Sequence, residues 1–305
     1  MKDAALPAPY VIRLIYGIGI LGISSAAVLI VAAHANPFTI AFWRLAISSI
    51  LLMPWALQNA RFMAHKWRAD SGRLLISAGF LAAHFAFWIA SLQLIPIALS
   101  TALVSTQPLW IALYQKFSSR AAPPLKALRR SSLFLATGLL FFIIFGSRSS
   151  HSFNLYGILW ALCGAISMAG YLLTSAQLRR HWPTHSYGFV VYGLSSLLLA
   201  AGQVLLAIPF GPVSWHLSLL YLAMALGPTL AGHSLFQWLL RYDSPHHAAL
   251  AMVGEIPGAT LLAWIFLHQI PTWADIFGMV FIFAAILTTL RAASAPANSP
   301  SSLSL

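Results

Sequence analysis

The sequence predicts an all-α integral membrane protein with ten transmembrane helices in two inverted five-helix repeats. Three observations carry this expectation. First, 60% of the 305 residues are hydrophobic, 7% are charged and the mean hydropathy is +0.82, far outside soluble averages. Second, Leu81 to Leu113 reappears without a gap 149 positions later as Leu230 to Leu262. The copies share Leu81/Leu230, Ala82/Ala231, His84/His233, Phe87/Phe236, Pro96/Pro245, Ala102/Ala251, Val104/Val253, Pro108/Pro257 and Leu113/Leu262. Third, Lys and Arg gather in alternate gaps between apolar runs. One set of gaps holds Lys2 and Arg13, then Arg61, Lys66, Arg68 and Arg73, then Lys116, Arg120, Lys126, Arg129 and Arg130, then Arg179 and Arg180, then Arg241, and finally Arg291; the other holds only Arg148. Cytoplasmic loops retain such residues, so both termini are expected in the cytoplasm and the helix number is even. The copies then lie an odd number of crossings apart and insert upside down relative to each other.

A hydrocarbon core of about 30 Å takes roughly 20 apolar residues per helix, and ten runs qualify. The first, near 11 to 33, is too long for a secretory leader and precedes many more, so it stays as a membrane helix. Its Gly17, Gly19 and Gly22 give a small face for close packing. The second, 37 to 57, carries Trp43 and Arg44 about seven residues in, roughly 10 Å below the outer surface. The third, 73 to 94, puts His84 and Trp88 on one face, four residues apart. In the fourth, 96 to 117, Pro96 opens the helix, whereas interior Pro108 frees the carbonyl of Val104 and is expected to kink the chain beside Gln107. The fifth spans 131 to 147. The sixth, 155 to 178, offers Ala161, Ala165 and Ala169 for packing, and the single cysteine, Cys163, also reads as packing. Phe189 and Ser195-Ser196 of the seventh, 186 to 208, resemble Phe42 and Ser48-Ser49 of the second. The eighth, 215 to 239, pairs His233 with Gln237 as the third pairs His84 with Trp88. The ninth, 245 to 267, repeats the fourth, with Pro245 opening it, Pro257 kinking it and Val253 losing its donor. The tenth runs from 272 to 291. Residues 11–147 and 155–291 thus form the two repeats, and the Ser-, Pro- and Ala-rich tail 292–305 is expected to be disordered.

Glu255 stands ten residues beyond Pro245, about 15 Å along the ninth helix and near the bilayer middle. A carboxylate there must be neutralised, paired or hydrated, which makes it a candidate site; a structural pair or a cap for freed backbone is the plainer account. Its repeat partner is the uncharged Thr106. Arg44 either attracts an anionic part of a ligand or snorkels outward to brace neighbouring carbonyls. His84 and His233 bind ligand, shuttle protons or clamp helices together. Gln107 and Gln237 are candidate hydrogen-bonding groups, and Trp43 and Trp88 either stack on a ligand or pack.

The net charge of +12 sits in short gaps rather than on a folded basic face, which argues against nucleic acid as a partner. His246 and His247 near Asp243 lack companions at zinc spacing, and no phosphate loop or nucleophile elbow is visible, so no metal, cofactor or catalytic residue is expected. The expected partners are a small solute and the lipid bilayer, with a homodimer left open. A membrane enzyme using the histidines as bases is the first alternative, disfavoured by only five acidic residues; a non-transporting scaffold is the second.

Phe42-Trp43-Arg44-Leu45 in the second helix, together with Gly232-His233-Ser234-Leu235-Phe236-Gln237-Trp238 and Gly254-Glu255-Ile256-Pro257-Gly258-Ala259, resembles EamA-type members of the drug/metabolite transporter superfamily. The resemblance covers nearly the whole chain, and His84-Phe85-Ala86-Phe87-Trp88 with Thr106-Gln107-Pro108 adds to it. It implies a carrier of the plasma (inner) membrane that exports amino acids, other metabolites or toxic compounds through a central cavity between inverted halves. Relatives often have Asn where Gln237 stands and Glu-Pro where Glu255-Ile256-Pro257 stands. They also have a Glu near the outer end of each half, where this chain reads Leu267-His268-Gln269 and Lys116-Phe117-Ser118.

Overall fold

The computed structural model describes residues 9–118, 124–145, 154–211, 214–239 and 252–294. All its regular elements are helical. In chain order they are α1 (Pro9–Ser24), α2 (Ala26–Ala33), α3 (Pro37–Leu57), α4 (Ala60–Leu92), α5 (Ile97–Val104), α6 (Gln107–Phe117), α7 (Leu125–Phe145), α8 (Leu155–Leu178) and α9 (Thr184–Leu205). Then come α10 (Trp215–Met224), a π-helical segment (Ala225–Ser234), α11 (Leu235–Leu239), α12 (Glu255–Leu267) and α13 (Trp273–Ser294). The tail beyond 294, Pro245 and the His246-His247 pair lie outside the described residues.

The expectation of ten transmembrane helices in two inverted sets of five is corrected by this structure. Among the described residues, seven helical stretches are long and apolar enough to cross a bilayer: Tyr10–Ala33, Pro37–Leu57, Ala60–Leu92, Ile97–Phe117, Leu155–Leu178, Thr184–Leu205 and Trp215–Leu239. Helix α12 has 13 residues, which at helical rise is about 20 Å against a core of about 30 Å. Helix α7 opens with Lys126, Arg129 and Arg130, so its apolar part begins only at Ser131. Helix α4 errs the other way: its 33 residues begin at Ala60, because the basic stretch read as a loop is helical.

Helices of the first half pack on helices of the second: α3 on α9, α4 on α8, α7 on α13, α5 on α12, and α1 on the π segment. Lipid is as apolar as leucine, so these contacts depend on close van der Waals fit rather than on a hydrophobic drive. Gly22 and Gly232 supply it between α1 and the π segment, where a Cβ on Gly22 would lie 3.0 Å from the Gly232 nitrogen. Between α7 and α13, a Cβ on Gly138 would stand 2.8 Å from the Gly278 carbonyl oxygen. Gly138→Ala is therefore expected to destabilise the protein by about 1–3 kcal/mol, the usual cost of overpacking, as a lowered melting temperature in detergent. An unchanged melt would show that α7 and α13 can separate freely. Ala161, Ala165 and Ala169 of α8 are buried, but Cys163 is exposed on the outer face of that helix rather than packed.

The two helices expected to kink at a proline are interrupted rather than bent. The chain breaks at Ser105–Thr106, and α6 restarts at Gln107 with Pro108 in its first turn. At the equivalent place of the second half, α12 starts at Glu255 after Gly254, with Pro257 two residues on. A proline suits the first turn of a helix, where its missing N–H has no partner to lose. Each break therefore falls about one turn ahead of its proline, and Gln107 and Glu255 become helix-starting residues in the middle of the bundle.

Candidate functional site

Gln107 and Glu255 open α6 and α12, while His84 and Trp88 project from α4 and His233 from the π segment. All five line one small pocket, completed by Val104, Met168 and Met252. Its volume is about 10 Å³, room for about one water. Gln107 and Glu255 are buried at positive helix ends, where backbone N–H groups lack helical partners and negative charge is favoured. Pro108 and Pro257 hold those ends in place without lining the pocket.

The imidazole of His84 is fixed by a 3.0 Å hydrogen bond between Nδ1 and the Gly164 carbonyl oxygen on α8. A carbonyl only accepts, so Nδ1 carries the proton; in the neutral ring this leaves Nε2 as an acceptor. Its ring stacks on Trp88 at 5.8 Å and meets His233 edge-on at 6.4 Å. The Trp88 indole nitrogen is buried with no partner among the described residues. His84 is thus a clamp between α4 and α8 on one nitrogen and a pocket group on the other.

Arg44, on α3, is fully buried and does not snorkel. Its Nε donates to the Thr229 hydroxyl at 3.0 Å, and its guanidinium carbon lies 4.2 Å from the centre of the Phe85 ring. The Phe85 ring in turn packs edge-on against His233 at 5.6 Å. Glu255 and Tyr192 lie within reach of the Arg44 charge, and Tyr192 shares a 2.9 Å hydrogen bond with Ser234. The other two guanidinium nitrogens have no partner among the described residues.

Arg44 neighbours the pocket without lining it, and two further sequence-predicted residues stand apart from it. Trp43 donates its indole N–H to the Phe210 carbonyl at 3.2 Å and stacks on Tyr221 at 6.3 Å, so it packs α3 on α10 and the loop before it. Gln237 is buried one turn beyond His233, where its backbone carbonyl accepts from Arg179 Nε at 3.3 Å.

Sequence reasoning missed Thr229, Phe85, Met168 and Met252, and with them a polar tie at one end of the bundle. There, buried Asp70 of α4 accepts 2.9 Å hydrogen bonds from Trp182 Nε1 and His181 Nε2 in the turn between α8 and α9. Arg179 donates to the Trp182 carbonyl and, at 2.6 Å, to Thr184 Oγ1. A usable signal existed for Thr229: Pro228 is an interior proline of the eighth apolar run, as Pro108 is of the fourth.

Residues 155–291 match the EamA-like transporter family. No curated protein matches the chain. Among 25 matching solved chains, one described only as the crystal structure of a protein is 19% identical. It covers 92% of this chain and 96% of its own length, with a TM-score of 0.63; a likeness at that identity shows a shared fold.

Proposed function

We propose, for a multi-span helical membrane protein whose residues 155–291 are an EamA-like transporter family domain, that it is a secondary transporter of the plasma (inner) membrane. Its cargo on this reading is a small metabolite, amino acid or drug-like compound, moved outward by alternating access. The observation that carries the proposal is convergence: His84, Trp88 and Gln107 from the first half and His233 and Glu255 from the second meet in one buried pocket. Buried polar groups in a membrane interior are costly, and their gathering at the junction of two halves supports a solute site between them. Residues 11–147 serve as the partner half, and rocking of the halves about the pocket exposes it to each side in turn. On this reading the basic amino-terminal stretch of α4, Arg61–Arg73, and the turn at Arg179–Arg180, with Arg13 and Arg291, face the cytoplasm.

Purified protein in liposomes is expected to move at least one amino acid, nucleobase or amphiphilic cation when a proton or sodium gradient is imposed. Failure with every solute class under every gradient would overturn the proposal. Glu255 is assigned the proton-exchanging role because it is a buried carboxyl group facing the pocket. Glu255→Gln is expected to remove flux driven by a pH gradient while solute exchange without a gradient continues. Undiminished pH-driven flux would clear Glu255 of that role.

A further inference from the structure

We propose that the two terminal nitrogens of Arg44 form a binding subsite for a compact oxyanion, and that Thr229 is the positioning residue that aims them. The ligand group is a carboxylate or phosphate carried by the solute, and the proposal rests on the carrier reading above.

The argument begins at Pro228. Having no N–H, it leaves the Met224 carbonyl without its ordinary helical donor. The backbone widens into the π segment there, and the Thr229 hydroxyl takes over, donating to the Met224 oxygen at 2.9 Å. A hydroxyl has one hydrogen to give. With that hydrogen committed, the Thr229 oxygen presents only lone pairs, and Arg44 Nε meets it at 3.0 Å. The ring of Phe85 covers one face of the guanidinium. A planar fork fixed at Nε and stacked on one face has little freedom left, so its outer edge is aimed.

That edge is unused. Both terminal nitrogens are buried without a partner among the described residues, and those residues include no carboxylate within ion-pair distance of Arg44. Leaving two donors of a cationic group unmet in an apolar bundle is unfavourable by more than an ordinary missing hydrogen bond. Two parallel N–H groups on a flat fork match two oxygens on one carbon or phosphorus. Phe85 lies on Arg44 and touches Trp88 and His233, which line the neighbouring pocket, and such a run of rings suits a solute with a flat apolar body.

The test uses the purified full chain in detergent, with thermal unfolding followed against phenylacetate, phenyl phosphate and 2-phenylethylammonium at constant ionic strength. A ligand that prefers the folded state raises the melting temperature. Saturable stabilisation by phenylacetate or phenyl phosphate is expected, the more effective of the two identifying the oxyanion, with none from the ammonium probe. Thr229→Val, close in size but lacking the hydroxyl, is expected to weaken that binding about tenfold, the scale of one hydrogen bond to a charged group. Thr229→Ser is expected to restore it. Stabilisation by neither oxyanion, or equally by the ammonium probe, overturns the subsite; wild-type affinity in Thr229→Val overturns the positioning role. Oxyanion binding without flux in liposomes would sink the carrier reading and leave the subsite standing, whereas flux without oxyanion binding would do the reverse.

Discussion

Arg44→Met is expected to lower transport by about 100-fold or more while leaving the protein at least as stable as the wild type. The two halves of that expectation have different causes. Truncating one member of a buried charged contact typically costs about 2–5 kcal/mol of binding, or about 30-fold to several thousand-fold, and 100-fold lies inside that range. Stability moves the other way, because Arg44 carries two unmade hydrogen bonds in a fully buried position. Replacing a buried ionic group with an apolar side chain of similar length is often neutral or stabilising by about 1–4 kcal/mol. The hydroxyl of Thr229 keeps its bond to Met224 in the variant, so the π segment retains its internal support. Melting temperature and flux in liposomes, measured on the same preparation, decide the matter. A variant that melts well below the wild type and loses transport only in proportion to folded protein would make Arg44 a brace.

Asp70→Leu is expected to have the largest effect on folding, a loss of about 2–4 kcal/mol. Asp70 holds Trp182 and His181 at 2.9 Å each, joining α4 of the first half to the α8–α9 turn of the second. Trp182 is itself fully buried, its ring edge-on to Phe62 at 5.4 Å, so water cannot replace the lost acceptor. Asp70→Asn keeps one oxygen and is expected to fall between wild type and Asp70→Leu. His181 is partly exposed, and its replacement by Ala is expected to cost less than either. Chemical unfolding in detergent orders the three variants; the same midpoint for Asp70→Leu and wild type would show that the tie carries no weight.

Each pocket residue that the sequence brought to notice carried its own mark: duplication for His84 and His233, helical spacing from His84 for Trp88, a neighbouring proline for Gln107 and depth in the membrane for Glu255. His84 and His233 are a matched pair, and Gln107 and Glu255 sit beside matched prolines. Thr229 and Phe85 escaped because their counterparts, Phe80 and Ser234, differ, and a search for identities discards positions where the halves diverge. The hydrogen-bonded tie at Asp70 escaped for another reason. Hydropathy reports apolar length, so the basic stretch before residue 73 read as a gap although its backbone is helical. Hydropathy is equally blind to a break in a helix, so the ninth run read as one crossing although α12 starts only at Glu255. Trp43, expected either to stack on a ligand or to pack, meets Phe210 and Tyr221 rather than the pocket, because adjacent positions on a helix face different ways.

The length of α4 has a mechanical consequence. Its 33 residues make a rod of about 50 Å, longer than the hydrocarbon slab by about 20 Å. A straight rod of that length either leans steeply or stands proud of the bilayer, and its amino-terminal turns carry Arg61, Lys66, Arg68 and Arg73, with Trp67 partly exposed among them. Cations beside an anionic leaflet are attracted by about 1 kcal/mol each, and a partly exposed indole favours the headgroup zone. The same helix carries His84 and Trp88 near its other end, so any tilt taken up at the leaflet would move the α4 wall of the pocket as well.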